Sequence, residues 1–178
     1  MDTSIQLIIE SLLFASSEPL TPRQIHTILP KTDLKDIKNT LQDLKNEYDT
    51  MQRSFIIKEV ANGYQFRTLP VYKPYITSML NSSPPKLSRA TLETLTIIAY
   101  KQPIIRQEIE RYRGVDVGGI LKTLLKRGLI KIVGRKALPG RPIIYGTTGK
   151  FLEIFDLKDL SSLPTLKEIH ELGDGEEG

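Results

Sequence analysis

The chain has 178 residues, no cysteine and no apolar run of membrane-span length, which excludes disulfides, thiolate metal sites, cysteine nucleophiles and a spanning helix. The N-terminus has neither a basic n-region nor a small-residue cleavage site, so a cytoplasmic protein with no membrane role is expected. The net charge of +4 conceals an asymmetry: residues 1–84 carry 9 basic and 9 acidic side chains, residues 85–160 carry 15 and 7, and residues 161–178 carry 1 and 5.

In chain order, Thr3 and Gln6 read as a capping box for a helix in which Ile5, Ile8, Ile9, Leu12 and Leu13 recur at helical spacing to about Ala15. Thr21, Pro22 and Gln24 supply cap, N1 proline and N3 partner for a second helix carrying Ile25, Ile28 and Leu29. Asp33 is expected to cap the third, whose Leu34, Ile37, Leu41, Leu44 and Tyr48 form one stripe. Phe55–Val60 and Tyr64–Leu69 flank Asn62-Gly63, a hairpin signal that places a type I′ turn on those two residues. Val71–Leu80 predicts a short closing helix, and Ser82-Ser83-Pro84-Pro85 a domain boundary.

The pattern then repeats. Ser88 caps a helix with Leu92, Leu95, Ile98 and Ala99, and Pro103–Tyr112 supplies a shorter one whose cap position, Ile105, has no side-chain acceptor. Asp116 is expected to cap a third helix with Val117, Ile120, Leu121, Leu124 and Leu125 inward, and Gly128 ends it. Ile130–Val133 and Ile143–Thr147 read as strands around a basic loop, Gly134–Pro142. Phe151, Leu152 and Phe155 close the unit, and Thr165 with Glu168 caps a last short helix before an acidic tail. Aligned without a gap at an offset of 84 residues, Leu13 falls on Ile97, Ala15 on Ala99, Pro19 on Pro103, Leu20 on Ile104 and Ile25 on Ile109. The chain is therefore expected to be mainly α with small β-hairpins, an α+β protein of two tandem winged helix-turn-helix domains. Their expected bounds are 1–83 and 86–160, followed by a short helix and disordered tail over 161–178.

No catalytic set is apparent. His26 and His170 stand apart with no ligand cluster, Glu108 and Glu110 point to different faces of one helix, and Gly114, Gly118 and Gly119 lack phosphate-loop spacing. Neither an enzyme, a metal nor a cofactor is expected. The candidates are surfaces. On the second third helix and its wing, Lys122, Lys126, Arg127, Arg135, Lys136 and Arg141 stand where a winged helix meets phosphates. That helix has no Asn or Gln and opens on Val-Gly-Gly, so weak DNA contact is expected rather than base readout. Its counterpart in the first unit mixes Lys35, Lys38 and Lys45 with Asp36, Asp43 and Glu47.

Four segments carry a resemblance: SLLFASSEPL (11–20), ANGYQFRT (61–68), TLTIIAYKQPIIRQEIERYRGVD (94–116) and VGRKALPGRPIIYGTTGKFLEIFDL (133–157). Together they resemble the signatures of the segregation and condensation protein B family over nearly the whole chain, with Ile105 where Thr is usual and Asp156 where Gly is usual. The resemblance implies a non-enzymatic, nucleoid-associated subunit of the bacterial SMC condensin complex. Such a subunit dimerises through its first winged-helix unit and binds the kleisin ScpA, which bridges the heads of the SMC ATPase. Matched Gly140, Arg141, Pro142, Tyr145, Gly146 and Thr147 form either a partner surface or wing structure. The alternative is a winged-helix DNA-binding regulator, and the basic second half suits either an acidic partner or phosphate.

Overall fold

The computed structural model describes residues 4–80, 86–165 and 168, in which helices dominate and two small antiparallel sheets lie apart. In the first unit α1 (Ile5–Ala15), α2 (Pro22–Ile28) and α3 (Leu34–Thr50) precede a hairpin of β1 (Phe55–Val60) and β2 (Gly63–Thr68). Ile9, Leu13, Ile25, Ile37, Leu41, Leu44 and Ile57 are fully enclosed where the three helices meet the hairpin. The reciprocal box at α2 forms as read: the Thr21 hydroxyl accepts from the Gln24 N–H (3.2 Å), and the Gln24 side chain accepts from the Thr21 N–H (2.8 Å). The other two caps differ. Ser4 holds the N-cap of α1, with Thr3 outside the described residues, and Gln6 instead donates to Glu47 on α3 (2.7 Å). Asp33 holds the N-cap of α3, but its carboxylate makes no cap bond.

The hairpin turn lies one residue earlier than its sequence signal. Val60 pairs with Gly63, so Ala61 and Asn62 are the two central residues, at φ +51° and +61°. The cause is tertiary. Leu20 and Tyr64 exchange both backbone hydrogen bonds, each 2.9 Å, and a Cβ on Gly63 would stand 2.8 Å from the Leu20 carbonyl carbon and oxygen. Gly63 is thus required for close approach, and the left-handed turn falls to its neighbours. Gly63→Ala should lower stability by about 2 kcal/mol, the cost of forcing a methyl into a filled contact, as measured by denaturant unfolding; an unchanged midpoint would show that the Leu20 link yields freely.

The Tyr48 hydroxyl donates to the Glu10 carboxylate, tying α3 to α1. That hydrogen bond, with burial and the Glu10 charge, pushes the phenol from 10.0 up to about 12. A pKa raised on folding contributes stability that is complete below 10 and lost as pH rises from 10 to about 12. Ultraviolet titration should therefore show one tyrosine ionising near pH 12 in the folded chain; Tyr48→Phe should remove that step, and its persistence would assign it elsewhere.

A 3-10 turn (Pro70–Tyr72) and α4 (Lys73–Leu80) follow. The expected boundary at 82–85 lies outside the described residues. In the second unit α5 (Arg89–Lys101) starts on Ser88, whose hydroxyl accepts from the Thr91 N–H. Next comes β3 (Ile104–Ile105), a strand the sequence reading did not include, then α6 (Arg106–Arg113), ended by Gly114 at φ +69°. For α7 (Gly118–Lys126) the backbone N-cap is Val117, one residue after the expected Asp116, while the Asp116 carboxylate still accepts from the Gly118 N–H that opens the helix (3.0 Å) and also pairs with Arg106. β4 (Ile130–Arg135), β5 (Ile143–Thr147) and α8 (Gly149–Ile154) complete it, with strand order β3-β5-β4. Its core is formed by Leu95, Ile98, Ile109, Val117, Leu121, Leu124, Leu129 and their neighbours. Thr165 and Glu168 make the reciprocal bonds of a capping box; the remainder of that expected helix lies outside the described residues.

The internal repeat has a structural counterpart. Leu20 bridges to Tyr64 of the hairpin in one unit, and its aligned partner Ile104 pairs with Tyr145 of β5 in the other. Both units run helix, extended link, helix, helix, hairpin, with the link pinned to the second hairpin strand. That is the order of a winged helix.

Candidate partner-binding surfaces

The side chains singled out in the second unit divide once placed. Lys122 and Lys126 are exposed on the outer face of α7, and Arg135 and Arg141 are exposed in the wing. Arg127 is half-buried at the C-cap of α7. Lys136 is exposed but paired with Glu108 across the unit (2.8 Å). That ammonium, and then the Ile105 N–H, hold the Glu108 carboxyl below its ordinary range. Tyr145 faces inward: 8% exposed, it belongs to the core, which withdraws it as a surface contact. Matched Gly146 and Thr147 are buried beside it, with the Thr147 N–H donating to the Gln102 side chain (2.7 Å).

The wing itself is built by backbone. Lys136 N–H donates to Pro142 O (2.9 Å), Arg141 N–H donates to Leu138 O (2.8 Å), and Gly140 and Arg141 adopt φ +78° and +43°. Glu108 and Glu110 turn to structural tasks: Glu108 accepts from Ile105 N–H (3.1 Å), replacing half of the missing cap, and Glu110 pairs with Arg106 (2.7 Å). Among the described residues no group of three or more His, Asp or Glu side chains is arranged for a metal ion, and no helix is long and apolar enough to cross a membrane.

Two apolar surfaces were not anticipated. On the second unit, α5 and α8 frame an open groove of about 360 Å³. Leu95, Ala99 and Phe151 form its floor, Leu92 and Thr96 one rim, and Phe155 and Leu157 the other. Tyr100 closes one end, its hydroxyl donating to Pro164 O (2.6 Å). The groove escaped the sequence reading because its walls come from segments about sixty residues apart, and Phe155 reads as one more core residue.

On the first unit, α4 buries none of its side chains. Val71, Tyr75 (74% exposed), Met79 (72%) and Leu80 stand in solvent around it, and on α1 Phe14 is 82% exposed, its ring meeting only the edge of Phe66 among aromatic partners. Clustered exposed apolar side chains of this size mark surfaces that other proteins cover.

A family profile described as segregation and condensation complex subunit ScpB matches residues 7–166. The segregation and condensation protein B of Syntrophotalea carbinolica is 46% identical over 97% of this chain and 87% of its own length. That of Moorella thermoacetica is 45% identical over 93% and 85%. Among solved structures, ScpB from Mycobacterium tuberculosis is 30% identical, covering 84% of this chain and 93% of that one, with a TM-score of 0.39. A profile spanning nearly all of the sequence, with relatives this similar end to end, places the chain in the segregation and condensation protein B family.

Proposed function

We propose that this chain is a non-catalytic, nucleoid-associated subunit of the bacterial SMC–ScpA–ScpB condensin complex, that it binds the kleisin ScpA, and that through the kleisin it reaches the SMC ATPase. Membership of the family supports the role in chromosome condensation and segregation. The observation that carries the binding claim is the α5–α8 groove, an apolar trough with exposed aliphatic and aromatic rims. Such a trough suits an amphipathic helix that lays i, i+3 and i+4 anchors along it. The excess of 15 basic over 7 acidic side chains across residues 85–160 favours an acidic partner segment and speeds encounter. The apolar surface of α4 in the first unit suits a second copy of the chain, giving a homodimer that presents two grooves.

Calorimetric titration with the cognate kleisin tests this. Saturable binding at a fixed stoichiometry is the result expected; no heat and no complex at micromolar concentration would contradict it.

The second reading, DNA binding, is favoured by the exposed Lys122, Lys126, Arg135 and Arg141. Weak, sequence-indifferent contact is what these residues support, since Gly118 and Gly119 occupy the turn that would reach base edges. A salt titration separates the readings. Phosphate contacts make log affinity fall with log salt by roughly 0.9 per contact, whereas groove binding to the kleisin falls far less steeply.

A further inference from the structure

The two units meet through a small, charged contact. The tip of the first hairpin, Ala61 and Asn62, donates its two N–H groups to the carbonyls of Leu157 (2.9 Å) and Lys158 (2.7 Å), just beyond α8. The Ala61 side chain packs on the core of the second unit. Three ion pairs surround this backbone link: Lys58 with Asp156, Arg67 with Glu153 (3.7 Å), and Lys158 with Glu59 (3.1 Å). Arg67 also donates to the Glu153 carbonyl (3.4 Å).

The signs alternate. The first unit offers cation, anion, cation at 58, 59 and 67, and the second answers with anion, cation, anion at 156, 158 and 153. Any shift of register would set like charges against each other. Asp156, at φ +59°, turns the chain so that the Leu157 and Lys158 carbonyls face the hairpin tip. No helix or strand of one unit packs extensively on a helix or strand of the other among the described residues. All three pairs are partly exposed to solvent. An interface this small, made of solvent-reached charges, is held weakly and is screened by salt.

We propose that the tip of the first hairpin is an electrostatic clasp between the units. Closed, it makes them one body and holds the 155–158 segment, which forms a wall of the α5–α8 groove. Open, it frees the units to reorient and loosens that wall. The closure stands independently of the kleisin reading; only its consequence for groove binding rests on that reading.

The chain has no cysteine, so Asn39→Cys on α3 and Gln107→Cys on α6, both exposed and outside the three ion pairs, accept spin labels without background. Labelled full-length chain is diluted into unlabelled chain, and the distance between labels is measured by pulsed electron resonance. One narrow distribution is expected at low salt. At about 1 M salt, where the screening length is about 3 Å, the closed-distance fraction should fall by roughly fivefold. Glu59→Lys with Arg67→Glu should broaden the distribution already at low salt, and adding Lys158→Glu with Glu153→Arg, which restores opposite charges in all three pairs, should narrow it again. A broad distribution at low salt in the unsubstituted chain, or a narrow one that salt leaves unchanged, overturns the clasp. So does a charge-restored variant that stays broad. The salt series on the unsubstituted chain decides the matter even if a variant fails to fold.

Discussion

Leu92→Asp is expected to weaken kleisin binding by about three orders of magnitude, because a docked helix would bury a carboxylate that has no partner, a penalty of about 4 kcal/mol. Leu92 lies on the groove rim of α5 and is 39% exposed, so the substitution places charge in water in the free chain and should leave the fold intact. Phe155→Asp on the opposite rim should act the same way, with a further loss from its contact with Phe151, whose ring centroid is 5.0 Å away. Calorimetric titration reads affinity and circular dichroism reads folding. Gln107→Asp, exposed on α6 and away from the groove, serves as the control and should bind within about twofold of the parent, as surface changes outside an interface do. Retained affinity in both rim variants would remove the groove from the account while leaving family membership untouched.

The second large effect concerns stability. Ile98 is fully buried in the last turn of α5 and belongs with Leu95, Ile109, Leu121, Leu124 and Phe151 to the core of the second unit. Ile98→Ala removes methyl and methylene groups from a site closed on all sides, so a loss of about 3 to 4 kcal/mol is expected from lost burial plus the cavity left behind. Units this small draw on a total stability of roughly 5 to 15 kcal/mol, so the second unit should unfold at markedly lower denaturant. Residues of the first unit, with its own core around Ile9, Ile25, Ile37 and Leu41, should be affected less. Denaturant unfolding followed by site-resolved hydrogen exchange distinguishes the two. A loss below about 1 kcal/mol would mean that the site collapses around the smaller side chain and that the core is less tightly packed than its burial indicates.

Much of this architecture was legible where structure is local. Thr21-Pro22-Gln24 and Ser88 start helices because cap and partner lie within three residues, and Gly114 and Gly128 stop them at positive φ. The repeat was legible because Leu20 and Ile104 occupy the same place in each copy. What escaped depends on long-range neighbours. The turn signal Asn62-Gly63 is sound in isolation, yet the Leu20 backbone claims Gly63 and moves the turn to Ala61-Asn62. Two-residue β3 is too short to show alternation and exists only because Ile144 and Tyr145 pair with it.

The candidate site divided along the same line. Lys122 and Lys126 were placed on an exposed face by helical periodicity, which the structure reproduces. Tyr145 was ambiguous because a strand residue faces core or solvent according to register, and register here places it inward. Neither the α5–α8 groove nor the hairpin-tip contact has a signature in one segment, since each joins residues that are distant in the chain. Asp156 is the instructive case: it sits where Gly is usual in the family it resembles, the structure shows the positive φ that favours Gly there, and its carboxylate pairs with Lys58.

The measurement that bears most directly on the account is light scattering on a sizing column, with the full chain alone and then mixed with the cognate kleisin. The chain alone should elute at twice its mass of 20.2 kDa, and the mixture should shift to a larger species of fixed stoichiometry. A chain that elutes unchanged in the presence of kleisin would contradict the proposed function.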